Sequence, residues 1–203
     1  MTASLIAVAL IAYFLGGLPF GYWFVRYRLG KDIRTLGSGN IGATNVQRTA
    51  GSKAGIVVLL LDIAKGLLAV WIAAMLTRNL PLGLAVAAVA VMLGHCYPVL
   101  LKFKGGKAVA CFVGAFLYIA PLPLLAAVPV FVITVWWSRH VSLGSIVGAI
   151  VFPLFVFLLQ HPAPPIQVAS VVASVLIVYR HKANIARLRQ GTEGVFSFKG
   201  SGR

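Results

Sequence analysis

Read for polarity alone, the chain alternates long apolar runs with short polar connectors. Residues 3–25 form one apolar run of 23 positions, and further runs occupy 54–76, 82–101, 108–137, 144–160 and 166–179. About 20 apolar residues in a helix, at about 1.5 Å each, cross a hydrocarbon core about 30 Å thick. The pattern therefore predicts membrane-spanning helices and an all-α integral membrane protein. The run 3–25 has no basic residue before it and is longer than the apolar part of a signal peptide, so it is expected to be a retained first span.

The 30-residue run from Ala108 to Trp137 is long enough for one tilted span or for two short ones broken at Pro121 and Pro123. Basic residues decide between these, because they favour the cytoplasmic side of short loops. With two spans the total is about seven, with the N-terminus outside and the C-terminus cytoplasmic. All of the 18 Lys and Arg then lie on the inner side except Arg78 and the intraspan Lys65. With one span the basic residues split almost evenly between the two sides. The expected organisation is a single transmembrane domain, 1–203, with cytoplasmic motif loops at 26–53, 102–107 and 138–145 and a cytoplasmic tail at 180–203. Two of its spans are short and must lean on neighbours or thin the bilayer.

Composition agrees with this class. Hydrophobic residues are 60% of the 203, charged residues 10%, and mean hydropathy is +0.96, whereas soluble domains carry about 25% charge. The formal net charge is +15, opposed by only Asp32, Asp62 and Glu193. Because these charges lie between spans, they read as topology signals and as sites for anionic head groups or phosphorylated substrates rather than for nucleic acid. Cys96 and Cys111 lack partners at metal-ligand spacing, so reduced thiols and no metal are expected.

The longest polar stretch, 26–53, carries Gly37-Ser38-Gly39-Asn40-Ile41-Gly42-Ala43-Thr44-Asn45, followed by Arg48. Glycines bring backbone N–H groups close to a ligand, Ser38, Asn40, Thr44 and Asn45 offer neutral donors, and Arg48 offers charge. This chemistry suits an anion. The spacing Gly37-x-Gly39-x-x-Gly42 also fits a dinucleotide fingerprint, but that fingerprint has meaning only inside a βαβ unit, and the flanks here are membrane runs. A second basic glycine loop is Lys102-Phe103-Lys104-Gly105-Gly106-Lys107. In the tail, His181, Asn184, Ile185 and Leu188 fall on one helical face.

With three acidic residues there are no paired carboxylates for acid–base chemistry, and no His is followed five residues later by Asp. Asp62 and Lys65 are three apart within one span; either they pair with each other or they brace a motif loop. His95, near a span end before Pro98, is expected to satisfy backbone groups. The polar features all gather on one face, which suits an enzyme acting on lipid better than a carrier with a midplane site. A transporter for an organic phosphate or lipid, and a non-catalytic subunit binding anionic lipid, stay as alternatives.

Several motifs together resemble the PlsY family, membrane-embedded glycerol-3-phosphate acyltransferases that use acyl-phosphate as donor. They are Leu15-Gly16-Gly17-Leu18-Pro19-Phe20-Gly21, Gly37 to Asn45, Gly94-His95-x-x-Pro98, Phe103 to Lys107, Val141-Ser142-Leu143-x-Ser145-Ile146, and Tyr179-Arg180-His181-x-x-Asn184-Ile185-x-Arg187-Leu188-x-x-Gly191-Thr192-Glu193. The resemblance implies one cytoplasmic active site at the bacterial inner membrane. It implies catalytic roles for Ser38, Arg48, Lys107, Ser145, His181 and Asn184. Substrate binding is expected from Gly37, Gly39, Asn40, Gly42, Thr44, Asn45, Gly105, Gly106, Arg139 and Arg187. Asp62, Lys65, His95 and Glu193 are expected as structural support. The implied partners are glycerol-3-phosphate, a long-chain acyl-phosphate and membrane lipid, with no cofactor. Ala108 stands where the family usually has Gly, and Cys111 where Thr is usual. As the opening residue of a span, Ala108 is expected to serve as well as Gly or better.

Overall fold

The computed structural model describes residues 2–195, and all its regular elements are helices. In chain order they are α1 (Thr2–Gly16), α2 (Phe20–Leu29), α3 (Ala43–Ala50), α4 (Ser52–Thr77), α5 (Pro81–Cys96), α6 (Val109–Ile119), α7 (Pro121–Ser138), α8 (Val141–Gln160), α9 (Pro164–Arg180) and α10 (Lys182–Arg189). Single 3-10 turns lie at Ile33–Thr35 and Val99–Leu101. The expected tail motif region 180–203 is described only as far as 195.

Among the described residues, five helical segments are long and apolar enough to cross a membrane: Thr2–Leu29, Ser52–Thr77, Pro81–Leu101, Pro121–Ser138 and Val141–Gln160. Helices α6 and α9 are apolar but shorter. The protein is thus an all-α integral membrane protein, and its exposed Leu, Ile, Val and Trp side chains form the lipid-facing coat.

The expected uninterrupted run 3–25 is broken. Pro19 lacks an N–H and disfavours helix at Leu18, so α1 ends and α2 begins across Gly17-Leu18-Pro19. The run 108–137 is two helices meeting at Ala120, with Pro121 at the first position of α7, where its missing N–H costs nothing. Helix α8 starts at Val141, three residues earlier than the apolar run predicts, so Ser142 and Ser145 are helical rather than loop residues.

Helix α4 is the central post. It packs on α1, α3, α5 and α6. Apolar burial gives little drive between helices in lipid, so close backbone contact does the work. Gly66 of α4 lies against the Cys111 carbonyl of α6, and Gly114 of α6 against the Ile63 carbonyl of α4. Helices α1 and α5 repeat this with Gly16 against Val91 and Gly94 against Tyr13. Any side chain at these four glycines would force the helices apart. On the other side, α7 packs on α8, α8 on α9, and α9 on α5. Phe112, Phe116 and Phe152, with ring centroids 4.8–4.9 Å apart, tie α6 to α8.

Ala108 precedes α6 instead of opening it, so the premise of the expectation placed on it fails. It caps α6 with φ +59°, in the left-handed region where an L side chain is strained and glycine is favoured.

Candidate active site

The polar loops converge at the α5–α6 turn, the start of α8 and the α9–α10 junction. Lys107 donates from Nζ to Asn184 Oδ1. Asn184 in turn donates from Nδ2 to Glu193 Oε1 at 2.6 Å. The same oxygen accepts from Ser142 Oγ at 2.7 Å, and Arg187 Nε donates to Oε2 at 2.7 Å. Glu193 is therefore a buried hub joining α8, α10 and, through Asn184, the Lys107 loop. One residue on, the Gly194 carbonyl accepts from Arg48 Nη2 at 3.1 Å, which brings α3 to the same place.

Four cations, Arg48, Lys107, Arg180 and Arg187, surround this point against a single carboxylate. Burial, with repulsion from Arg187, Arg48 and Arg180 against the opposing pull of Glu193, lowers the Lys107 ammonium to about 8. Burial raises the Glu193 carboxyl, but hydrogen bonds from Ser142, Asn184 and Arg187 outweigh it, and the net shift is downward. The result is a cluster with surplus positive charge, suited to anions.

His181 is buried at this junction, and its Nδ1 lies 2.8 Å from the Ile177 carbonyl. A carbonyl only accepts, so Nδ1 carries the proton and Nε2 keeps a lone pair. Burial and the Lys107 charge lower His181 to about 4, so the ring is neutral at physiological pH.

Ser38 is held in place rather than joined to the cluster by a direct bond. Asn45, 2% exposed, accepts from Ser38 N at 2.9 Å and donates to the carbonyls of Leu36 and Asn40 at 3.0 and 2.8 Å. Asn40 Oδ1 accepts from Gly42 N at 2.8 Å. Gly37 and Gly39 have φ of +54° and +70°. The polar atoms of the Asn45 side chain are thus spent on shaping the loop rather than left for substrate, whereas Asn40 commits only Oδ1 to it. The Ser38 side chain, left exposed, is what the loop presents.

The expected phosphate-binding amides of Gly105 and Gly106 are also occupied. Gly105 N donates to Cys96 O at 3.1 Å and Gly106 N to His95 O at 3.0 Å. Glycine is needed here for closeness, since a Cβ at 105 would meet the His95 carbonyl and Pro98, and one at 106 the His95 ring. Ser145 follows Ser142 by three residues on α8, and its Oγ donates to Val141 O at 2.9 Å. Thr44 and Arg139 make no side-chain bond to the cluster; Arg139 stands exposed at the end of α7 with φ +58°.

Beneath the glycine loop lies a second polar group, within the apolar body. Asp62 and Lys65 pair at 2.8 Å, and Lys65 Nζ donates to Leu18 O at 2.8 Å where the Pro19 break frees that carbonyl. His95 Nδ1 is 3.7 Å from Asp62 Oδ1, and its side chain supports the loop from below instead of satisfying backbone groups. Asp62, His95 and Cys111 bring one ligand-type atom each within 4.8 Å of one another. Lys65 already supplies the Asp62 oxygen with a cation, so the group reads as an ion pair bracing a loop rather than as a metal centre.

Sequence reasoning gave no role to Ser142 or Arg180. Ser142 was legible in principle as the i−3 neighbour of Ser145. Arg180 was not, because its partners lie 74 and 75 positions away.

A sequence-family model described as glycerol-3-phosphate acyltransferase matches residues 6–191. The chain belongs to the glycerol-3-phosphate acyltransferase family. Among its relatives, a glycerol-3-phosphate acyltransferase of Desulforamulus reducens is 47% identical over 90% of both chains. One of Geotalea daltonii is 46% identical over 97% of this chain and 99% of the relative. The fold matches the crystal structure of PlsY, an integral membrane glycerol 3-phosphate acyltransferase, in its glycerol 3-phosphate form. The TM-score is 0.90 at 38% identity, over 96% of each chain. Its lysophosphatidic acid form matches with a TM-score of 0.86 at 36% identity.

Proposed function

We propose that this acyltransferase moves a fatty acyl group from acyl-phosphate to the 1-hydroxyl of glycerol-3-phosphate. The hydroxyl oxygen forms the new ester bond at the acyl carbonyl carbon, the carbon–oxygen bond to phosphate breaks, and lysophosphatidic acid and inorganic phosphate leave. The observation carrying this reading is the charge cluster itself: four cations around Lys107–Asn184, with the one nearby carboxylate locked by three hydrogen bonds. Such a site holds anions well and has no free carboxylate base.

The hydroxyl proton passes to a phosphate oxygen of the substrates. A phosphate with a second pKa of about 6 is a better base near neutrality than His181 at about 4. Lys107 and Arg48 hold the phosphates, with Arg187 adding charge from behind Glu193. Ser38, Ser145, Asn184 and the His181 Nε2 orient the hydroxyl and the carbonyl. The relatives' names and the glycerol 3-phosphate and lysophosphatidic acid forms of the PlsY crystal structure support acceptor and product. Acyl-phosphate as donor rests on the PlsY resemblance and on this base-poor chemistry, since a mixed anhydride with phosphate as leaving group needs little further activation.

The reading includes seven crossings of the bacterial inner membrane, N-terminus outside, with the site at the cytoplasmic face. The test is transfer by purified protein with labelled glycerol-3-phosphate, in chelator, offered palmitoyl-phosphate or palmitoyl-CoA. Lysophosphatidate from the acyl-phosphate alone is expected. Product from CoA alone overturns the donor, and no product from folded protein favours a transporter. Lys107→Met, which keeps length and removes charge, should abolish turnover without unfolding the protein; normal turnover in it refutes the site.

A further inference from the structure

The Lys107 loop is short, exposed on one side and built of two glycines, yet its lysine must meet Asn184 and two anionic substrates at fixed distances. Its N–H groups are held from below by the carbonyls of Cys96 and His95. Its carbonyls are held from another direction by one residue. Arg180 donates from Nε to Gly106 O and from Nη2 to Gly105 O, each at 3.0 Å. Its guanidinium lies over the Tyr97 ring, 4.9 Å from the centroid, and the Tyr97 carbonyl is itself held by Tyr13 Oη at 2.6 Å. Arg180 closes α9 and directly precedes His181, so the same residue fixes the loop that carries Lys107 and the junction that carries His181 and Asn184.

We infer that Arg180 is a positioning residue for acyl transfer, whose guanidinium fork across the Gly105 and Gly106 carbonyls sets where the Lys107 ammonium stands relative to His181 and Asn184. The inference rests on the acyltransferase reading. A planar fork with two parallel donors and a face that stacks on Tyr97 is a property of arginine that lysine lacks. A glycine pair without this fork has wide backbone freedom, and Lys107 would still bear its charge but sample many positions. Binding of an anion tolerates such spread better than reaction does, because a misplacement of about 1 Å at a reacting centre costs about 100-fold in rate.

The experiment compares Arg180→Lys and Arg180→Ala with wild-type protein in the same detergent, measuring kcat, KM for glycerol-3-phosphate and the melting transition. The expected result for Arg180→Lys is a kcat about 100-fold lower, a KM within about threefold of wild type and an unchanged melting transition. Arg180→Ala should regain part of its kcat on addition of millimolar guanidinium but not of ammonium, since only the former restores the fork. Arg180→Lys with wild-type kcat overturns the inference. So does a loss of kcat that tracks a loss of the melting transition, or equal rescue by both cations, which would make Arg180 a structural element or a bare charge. Wild-type protein without transfer would instead refute the underlying reading, with Arg180 not in question.

Discussion

On the proposed reading, the Lys107 ammonium sets the pH behaviour of the reaction. Its free-protein value of about 8 is depressed from the ordinary 10.5, and the anion-binding form is the charged one. Activity read as kcat/KM should therefore be lost as pH rises through about 8. A bound phosphate dianion favours the ammonium, so the same limb in kcat should lie at higher pH. On the acid side His181, lowered to about 4, is neutral well above that pH, and kcat should fall only where the substrate phosphate dianion takes up a proton, near 6. An acid limb that moves with the pKa of a substituted phosphonate acceptor would confirm this; one that vanishes in His181→Gln would assign the base to His181. Glu193 makes the opposite contribution to stability. Its folded-state value is lowered, so the stability it confers is present above its unfolded value of about 4.3 and is lost as pH falls through the lower folded value. Glu193→Gln should remove that part of the acid dependence of melting. Local patterns marked Lys107, His181 and Asn184 as lying in polar or helical runs, while their roles, like the supporting role of Glu193, came from the family resemblance. No local pattern could reach Glu193, because its link to Ser142 spans 51 positions.

Among the elements, the glycine loops divide into a part that sequence explains and a part that it misassigns. Glycine and small polar residues in 37–42 mark the tight irregular segment that leads into α3, yet the same composition serves for ligand contact and for self-contact. Structure separates them: Asn45 is consumed by the loop while Ser38 is presented by it. Asn45→Ala strips three buried or half-buried groups of their partner, and roughly 2–4 kcal/mol of destabilisation should follow, read as a lower melting transition in detergent; a variant as stable as wild type refutes the staple. Ala108 poses a balance of comparable terms. Its left-handed φ costs about 1–2 kcal/mol, which Ala108→Gly would relieve. The change also removes a fully buried methyl worth about 0.8 kcal/mol and adds freedom to the unfolded chain. Ala108→Gly should therefore shift stability by less than about 1 kcal/mol, which accounts for alanine being tolerated at a position that helix propensity treats as the opening of a span.

Across the whole molecule, the contact between Lys107 and Asn184 bears on topology as much as on chemistry. If the run 108–137 crossed the bilayer once, the 102–107 loop and the tail would lie on opposite faces, separated by a core about 30 Å thick. Lys107 instead bonds to Asn184, and Arg180 to Gly105 and Gly106, which supports an even number of crossings between them. In the proposed seven-crossing arrangement the break at Ala120 would supply the extra one, from α6, whose 11 residues extend only about 16 Å. A helix that short crosses only if its ends lie below the head groups, so in that arrangement the loop at its start would be drawn toward the acyl chains. That depth suits a reaction joining a lipid tail to a water-soluble phosphate. The two native cysteines are buried, which makes labelling of introduced cysteines readable without removing them. On intact cells, a membrane-impermeant maleimide should modify Ala163→Cys, between α8 and α9, and leave Lys182→Cys untouched until the membrane is permeabilised. Labelling of Lys182→Cys from outside would put the tail on the wrong face for a cytoplasmic site and refute the seven-crossing arrangement.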